Sequence, residues 1–107
     1  MLDFYAVDSL DPWPDDIPRE SRWVGSMDLR EFRSCEAALQ ACLSRLGING
    51  PYFEDWVVPR DDVRALVRCL RESAAASDTA LNPRSGLGSI ILIIARAEGS
   101  MLLAVCD

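Results

Sequence analysis

Two short apolar segments near the end of the chain constrain its fold more than any other feature. Residues 89–95 read Ser-Ile-Ile-Leu-Ile-Ile-Ala and residues 100–106 read Ser-Met-Leu-Leu-Ala-Val-Cys, on either side of Arg96-Ala-Glu-Gly99. This arrangement predicts a β-hairpin with a four-residue loop. Because both strands would be apolar on both faces, each needs cover on two sides. We expect helices over one face, and the N-terminal segment or a second subunit over the other.

A capping-box pattern marks the start of the first predicted helix. Asp28 and Glu31 stand three residues apart, and apolar positions then recur at spacings of three and four. These spacings predict one long helix that ends at Gly47. A shorter helix that begins at Ser34 is the alternative, because serine is a favourable N-cap and the residues after it favour a helix.

The second predicted helix follows Pro59. Asp61 and Asp62 suit the positive end of a helix dipole. The apolar stripe of this helix lies opposite its arginines, and the two sets are Val63, Leu66, Val67, Leu70 and Ala74 against Arg64, Arg68 and Arg71. Residues 73–88 are small, polar and rich in turn formers, so they predict a loop.

The rest of the chain adds one strand, one loop and one short extended segment. Residues 2–7 have the period-two pattern of a half-buried strand, and residues 9–18 carry three prolines, which predict an extended surface loop. Residues 52–58 predict an edge strand or an extended connection. The sequence therefore predicts a single α+β domain over residues 1–107. Its small, mostly antiparallel sheet combines the N-terminal strand and the C-terminal hairpin, and two helices pack on it.

The chain contains no histidine and no lysine, so its eleven cationic side chains are all arginines. Serine or cysteine nucleophiles normally need an imidazole or an amine to accept a proton. Schiff-base chemistry, the lysine of a phosphate-binding loop and histidine zinc sites are excluded for the same reason. We expect no catalytic residue, no cofactor and no metal site.

Four cysteines stand at positions 35, 42, 69 and 106, without any Cys-x-x-Cys pair. No zinc spacing is present. The N-terminus has no basic segment of a secretion signal, which favours a mature chain that starts at Met1 in the bacterial cytosol. We therefore expect four reduced thiols that act as small apolar side chains.

Glycines and paired acids supply the remaining candidate sites. The segment 85–89, Ser-Gly-Leu-Gly-Ser, is weakly similar to a phosphate-binding loop, but such loops precede a helix and this one is predicted to precede a strand. Adjacent carboxylates point in different directions, so each acidic pair needs other ligands before it can hold a metal ion or cleave a sugar. The pairs are Asp15–Asp16, Glu54–Asp55 and Asp61–Asp62.

The negative charge is concentrated at the start of the chain. Residues 1–31 hold eight carboxylates and three arginines, a net charge of −5 out of −6. This sign disfavours nucleic acid and favours a basic protein partner. Tryptophan between two prolines at Trp13 is a stiff apolar anchor of the kind that interfaces use. The predicted partner-binding residues are Asp8, Asp11, Trp13, Asp15, Asp16, Glu20, Tyr52, Glu54, Asp55 and Trp56, where core packing of Phe53 and Trp56 is an equal alternative.

The chain resembles bacterial toxin-immunity proteins of the contact-dependent growth inhibition type. It is small, acidic and without the usual catalytic residues, and its opening Asp3-Phe-Tyr-Ala-Val-Asp8 is similar in style. The resemblance implies a cytoplasmic inhibitor that binds the cationic toxin domain of a cognate effector, often a nuclease, and blocks its active site or substrate groove.

Two other classes of function stay open at this stage. A self-associating structural or regulatory protein would bury the second face of the apolar hairpin in a homodimer. A carboxylate or metal-dependent enzyme would use the acidic pairs. A membrane partner is not expected, because the most apolar stretch, residues 90–95, is far shorter than the roughly 20 residues that span a bilayer.

Overall fold

A computed structural model of the chain describes residues 1–8, 21–76 and 86–106. These residues form an α+β fold with a four-stranded antiparallel sheet in the order β2-β1-β4-β3. The strands are β1 (Leu2–Val7), β2 (Arg22–Met27), β3 (Trp56–Val58) and β4 (Met101–Cys106), and the helices are α1 (Leu29–Arg45), α2 (Arg60–Ala76) and α3 (Gly86–Ala95).

The predicted strand 2–7 and both predicted helices are confirmed. Helix α1 starts at the Asp28 cap, so the alternative start at Ser34 is wrong. The Asp28 carboxylate accepts a hydrogen bond from the Glu31 N–H at 2.8 Å, and the Glu31 carboxylate accepts one from the Asp28 N–H at 3.3 Å. After the C-cap at Leu46, Gly47 adopts a φ of 72°, a conformation that glycine reaches at little cost.

The predicted hairpin is wrong in its first half. Residues 89–95 belong to α3, whereas residues 101–106 form β4 as expected. Helix α3 packs against α1, α2 and β2, and Leu92 is its one exposed large side chain. A helix covered on nearly all sides needs no polar face, so its sequence loses the periodicity that would distinguish it from a buried strand.

Two further boundaries differ from the predictions. Strand β3 contains only Trp56–Val58 of the predicted 52–58, although it does lie at an edge of the sheet. The predicted loop 73–88 is wrong at both ends, because α2 continues to Ala76 and α3 begins at Gly86. The predicted proline-rich loop 9–18 lies outside the described residues.

Strand β2 was not predicted, and a β-bulge explains why. In its pairing with β1, Phe4 lies opposite Gly25 and Tyr5 lies opposite Trp23, which leaves Val24 as an extra residue. The bulge interrupts the alternation of side chains that identifies a strand in a sequence. Two arginines tie this strand to the turn after α3. Arg22 donates to the Arg96 carbonyl at 2.6 Å, and Arg96 donates to the Val24 carbonyl at 3.1 Å.

The core lies between the helices and the sheet face that carries Leu2, Phe4 and Ala6. Val7 and Leu103 are buried as well, but strand alternation and the pairing of Leu103 with Tyr5 place them on the opposite face. Both faces of the sheet therefore contain buried apolar side chains. The N-terminal segment expected to cover the second face includes residues 9–20, which lie outside the described part of the chain.

A disulfide joins α1 to α2 through Cys42 and Cys69, whose Cα atoms are 5.8 Å apart. The expectation of four reduced thiols is wrong for this pair, while Cys35 and Cys106 are free. A spacing of 27 residues matches no known cysteine motif. Only the packing of the two helices brings these residues together. The cysteine sequence pattern therefore gave no signal for the bond.

We predict that reduction of the Cys42–Cys69 bond lowers the free energy of unfolding by about 3 kcal/mol, because a closed loop of this length restricts the unfolded chain. Urea denaturation with and without a phosphine reductant measures the difference. The Cys42→Ala/Cys69→Ala variant is the control and should be insensitive to the reductant. An unchanged urea midpoint for the reduced wild-type chain contradicts the prediction.

Gly25 is the point of closest approach between the sheet and α3. A Cβ atom at this position would lie 2.5 Å from Cγ1 of Ile93 and 2.9 Å from its Cδ1. We predict that Gly25→Ala lowers stability by about 1–3 kcal/mol through this overpacking. The same change in an Ile93→Ala background should cost clearly less, since Cγ1 and Cδ1 are then absent. Equal losses in the two backgrounds, measured by thermal or urea unfolding, would show that Ile93 is not the obstacle.

Candidate partner-binding surface

Half of the residues predicted to contact a partner fall in a segment that the structure does not describe. These are Asp11, Trp13, Asp15, Asp16 and Glu20, so their roles remain predictions. The described residues of the predicted set are Asp8, Tyr52, Glu54, Asp55 and Trp56. They divide into buried aromatic residues and exposed acids.

Trp56 and Tyr52 are core residues and do not present a surface to a partner. Trp56 is 5% exposed, stands edge-on to Phe4 with ring centroids 5.9 Å apart, and donates its indole N–H to the Pro51 carbonyl at 3.0 Å. Tyr52 is 8% exposed and packs on Phe32 at 5.3 Å. The core interpretation is therefore correct for Trp56. Both rings are too buried to support the expected contact with a partner.

Phe53 is the exposed aromatic residue of this segment. Its side chain is 68% exposed and lies edge-on to Tyr52, with ring centroids 4.9 Å apart. Residues 52–54 form a turn before β3, so consecutive side chains there need not alternate between core and solvent as they do in a strand. The buried Tyr52 ring thus supports an apolar ring that projects from the surface, and the next two residues, Glu54 and Asp55, are exposed acids.

The sheet brings a second pair of carboxylates to the same end of the molecule. Leu2 pairs with Met27 on one side and with Cys106 on the other, so the start of α1 and the end of β4 flank the start of β1. The Asp55 carboxylate accepts a hydrogen bond from the Cys106 N–H at 2.9 Å, which fixes the acidic turn at this end. Asp28, directly after Met27, therefore lies at the same end of the sheet as Asp55, although β2 and β3 form its two opposite edges.

The charges of Asp28 and Glu31 act on the hydroxyl of Tyr52. Burial raises its pKa first, and Cys106, Asp28 and Glu31 raise it further by their negative charge. We call the group Phe53, Glu54, Asp55, Asp28 and Glu31 the acidic–aromatic surface. All five side chains are exposed. The reciprocal cap holds Asp28 and Glu31 in place relative to each other through one carboxylate oxygen each.

Sequence reasoning missed three members of this surface. Asp28 and Glu31 were recognised only as a helix cap, and Phe53 was assigned to the core or the surface with equal weight. The cap was visible in the sequence, but its distance from residues 53–55 depends on how β1 pairs with β2 and β4. No local pattern contains that information.

Asp8 lies at the other end of β1 and belongs to a structural contact. Its carboxylate accepts a hydrogen bond from the Ser100 hydroxyl at 3.3 Å, and its carbonyl accepts one from Arg60 at 3.3 Å. Leu2 and Val7 mark opposite ends of the β1–β4 ladder, so Asp8 is remote from the acidic–aromatic surface. Asp8 is therefore not part of that surface, and its role as a partner contact stays a prediction.

The other candidate sites also have structural roles in the described part of the chain. Asp61 and Asp62 stand in the first turn of α2, as predicted from the helix dipole. Residues 86–89 of the glycine segment are the first turn of α3, so the prediction of a following strand is wrong, and Gly86 is buried. A Cβ there would collide with the Ser34 side chain and the Glu31 carbonyl of α1, so α1 occupies the space that an anion would need.

The search for metal sites and membrane spans adds two limited observations. Within residues 1–8, 21–76 and 86–106, no three Cys, Asp or Glu side chains are placed to hold a metal ion. Among the helices of the same ranges, none has the length and apolar character needed to cross a bilayer.

Comparison of the chain with protein-family models, with curated proteins and with solved structures found no match. The evidence for a function therefore lies in the chain's own residues.

The raised pKa of Tyr52 predicts a pH dependence of stability. The folded state keeps the hydroxyl protonated at pH values where the unfolded chain, with a pKa near the ordinary 10, has lost its proton. The unfolded state then binds fewer protons, so this contribution is fully present below about pH 10 and declines as the pH rises through the folded pKa. Unfolding free energies measured from pH 8 to 11 should fall more steeply for the wild type than for Tyr52→Phe. Parallel curves would show that Tyr52 is not in this acidic environment.

Proposed function

We propose that this chain is a binding protein that acts by occupying a basic surface of another protein through its acidic–aromatic surface. The observation that carries the proposal is Phe53, a 68% exposed aromatic ring followed directly by the exposed acids Glu54 and Asp55. Asp28 and Glu31, whose charges act on the neighbouring Tyr52, add two more exposed carboxylates. Interfaces concentrate their binding energy in such rings, whereas surrounding charges select the partner. The specific form that we propose is an immunity protein that neutralises a cationic toxin domain, possibly a nuclease domain, by stoichiometric binding.

The two components of the surface support different kinetic roles. The carboxylates of Asp28, Glu31, Glu54 and Asp55 attract a positively charged partner and raise the association rate, an effect that salt screens. Burial of the Phe53 ring against the partner slows dissociation, because the ring must return to water when the complex separates. The absence of histidine and lysine from the whole sequence supports inhibition by occupation rather than by a reaction.

The alternative of a self-associating protein is weakened by the corrected fold. That hypothesis required two adjacent strands with an apolar second face, and residues 89–95 are instead helix α3. Strand β4 alone retains the pattern, and Leu103 on its second face is already buried within the single chain. The acidic–aromatic surface does not favour a homodimer either, because a second copy of the chain would bring the same negative charge to it.

We predict that Phe53→Ala weakens binding about thirtyfold, the equivalent of a 2 kcal/mol anchor. The partner to test is the basic C-terminal domain of a secreted effector encoded beside this chain. Calorimetry or surface plasmon resonance gives the affinity. The matched control is Trp23→Ala, since Trp23 is also exposed, at 57%, but pairs with Tyr5, away from the end of the sheet where Leu2 pairs with Met27.

The charge component has its own test in the same complex. Glu54→Arg should lower the association rate severalfold at low salt and leave the dissociation rate less affected. Glu98→Arg makes the same charge change at an exposed position just before β4, at the end of the sheet remote from Leu2, and should have a smaller effect. An affinity that is equal for wild type and Phe53→Ala, with an association rate insensitive to salt, would sink the proposal.

A further inference from the structure

A second surface of the molecule has the opposite charge. A groove of about 530 Å³ runs along α2 beside the turn between α3 and β4. We call it the arginine groove, and its lining consists of Arg64, Val67, Arg68, Arg71, Glu72, Ala75 and Glu98. It shares no residue with the acidic–aromatic surface. It is net positive in a chain whose overall charge is −6.

The three guanidinium groups of the groove are not used by the fold. Arg64, Arg68 and Arg71 are exposed, and none of them forms a hydrogen bond or an ion pair within the described residues. They occur at positions i, i+4 and i+7 of α2, so they stand on one side of the helix. Like charges at this spacing destabilise a helix slightly. Ligand binding would explain why three of them line one groove.

The spacing of the arginines indicates the shape of the ligand. Seven residues of α-helix advance about 10.5 Å along the axis. A facing helix with carboxylates at i, i+4 and i+7 has the same advance and places one acid near each guanidinium group. Arginine suits this role because its planar donors bind a carboxylate through two parallel hydrogen bonds. The exposed Ala75 adds a small apolar contact at one end of the groove.

The two glutamates in the lining of the groove favour an acidic helix over a nucleic acid as its ligand. Glu72 and Glu98 repel a ligand of continuous negative charge, such as a phosphate backbone, and so does the net charge of the chain. A peptide with separated acids can place its carboxylates on the arginines and its neutral side chains beside the glutamates. The mixed charge of the lining thus favours a protein segment.

We propose that the arginine groove binds an acidic amphipathic helix of another protein, with carboxylates at i, i+4 and i+7. This site is independent of the proposed binding of a basic domain. A molecule with both sites can hold a basic and an acidic element at once, on separate surfaces.

The test uses the full chain and a labelled, alanine-based helical peptide of 16 residues with glutamates at positions 5, 9 and 12. Fluorescence anisotropy at low salt should show saturable binding, and Arg68→Gln should weaken it about fivefold or more. Arg33→Gln, which removes an exposed arginine of α1, is the matched control and should leave the affinity unchanged. Glutamine has a helix propensity close to that of arginine, and circular dichroism checks that both variants fold.

Two further ligands make the outcome decisive. A peptide with the same three glutamates on different faces of the helix should bind at least fivefold more weakly than the matched peptide, and its equal binding overturns the helical spacing. Duplex DNA that binds with the same dependence on Arg68 assigns the groove to phosphates and overturns the proposal. If the matched peptide does not bind at 1 mM, the arginines are only a solvent-exposed face of α2, and the proposal is also overturned. Arg68→Gln should still bind the basic effector domain, which separates a failure here from a failure of the proposed function.

Discussion

Burial of helix α3 is the constraint on which the rest of the structure depends. All four isoleucines of the helix are buried, so it is stable only when α1, α2 and the sheet cover it together. Gly25 allows the sheet to approach Ile93 closely, and the Arg96 guanidinium holds the bulged strand β2 against the end of the helix. The two amphipathic helices can then turn their polar faces to solvent, where the arginines of α2 and the acidic cap of α1 become available for binding.

The sheet topology turns this core into a surface with a defined charge pattern. Strand β1 pairs with β2 on one side and β4 on the other, so residues near both ends of the chain meet at Leu2. The cap of α1 and the acidic turn before β3 come from distant parts of the sequence and converge only through these pairings. Binding at the acidic–aromatic surface would therefore depend on the register of the sheet. The hydrogen bond from the Cys106 N–H to the Asp55 carboxylate links the acidic turn directly to strand β4.

The sequence predicted those elements whose signals are local. Helices α1 and α2 have caps or acidic first turns and one apolar stripe, and β1 has clean alternation, so each could be recognised alone. Helix α3 lacked a clear period because it is covered on nearly all sides, and the bulge at Val24 concealed β2. The same limit applies to the site. The acid-rich character was visible in the composition. The choice between Phe53 outside and Trp56 inside depends on Phe4, a residue distant in the sequence that packs edge-on against the Trp56 ring.

The carboxylates of the α1 cap combine stability and recognition in one feature. Each uses one oxygen for the hydrogen bonds that satisfy the first N–H groups of the helix, and the positive end of the helix dipole offsets part of the negative charge. These hydrogen bonds order both side chains before a partner arrives, so little side-chain entropy is lost on binding. Glu54 has no such anchor, and its charge acts mainly at long range. Under the proposed function, Asp28 and Glu31 would therefore set where a partner's basic groups lie, while Glu54 would contribute to long-range attraction.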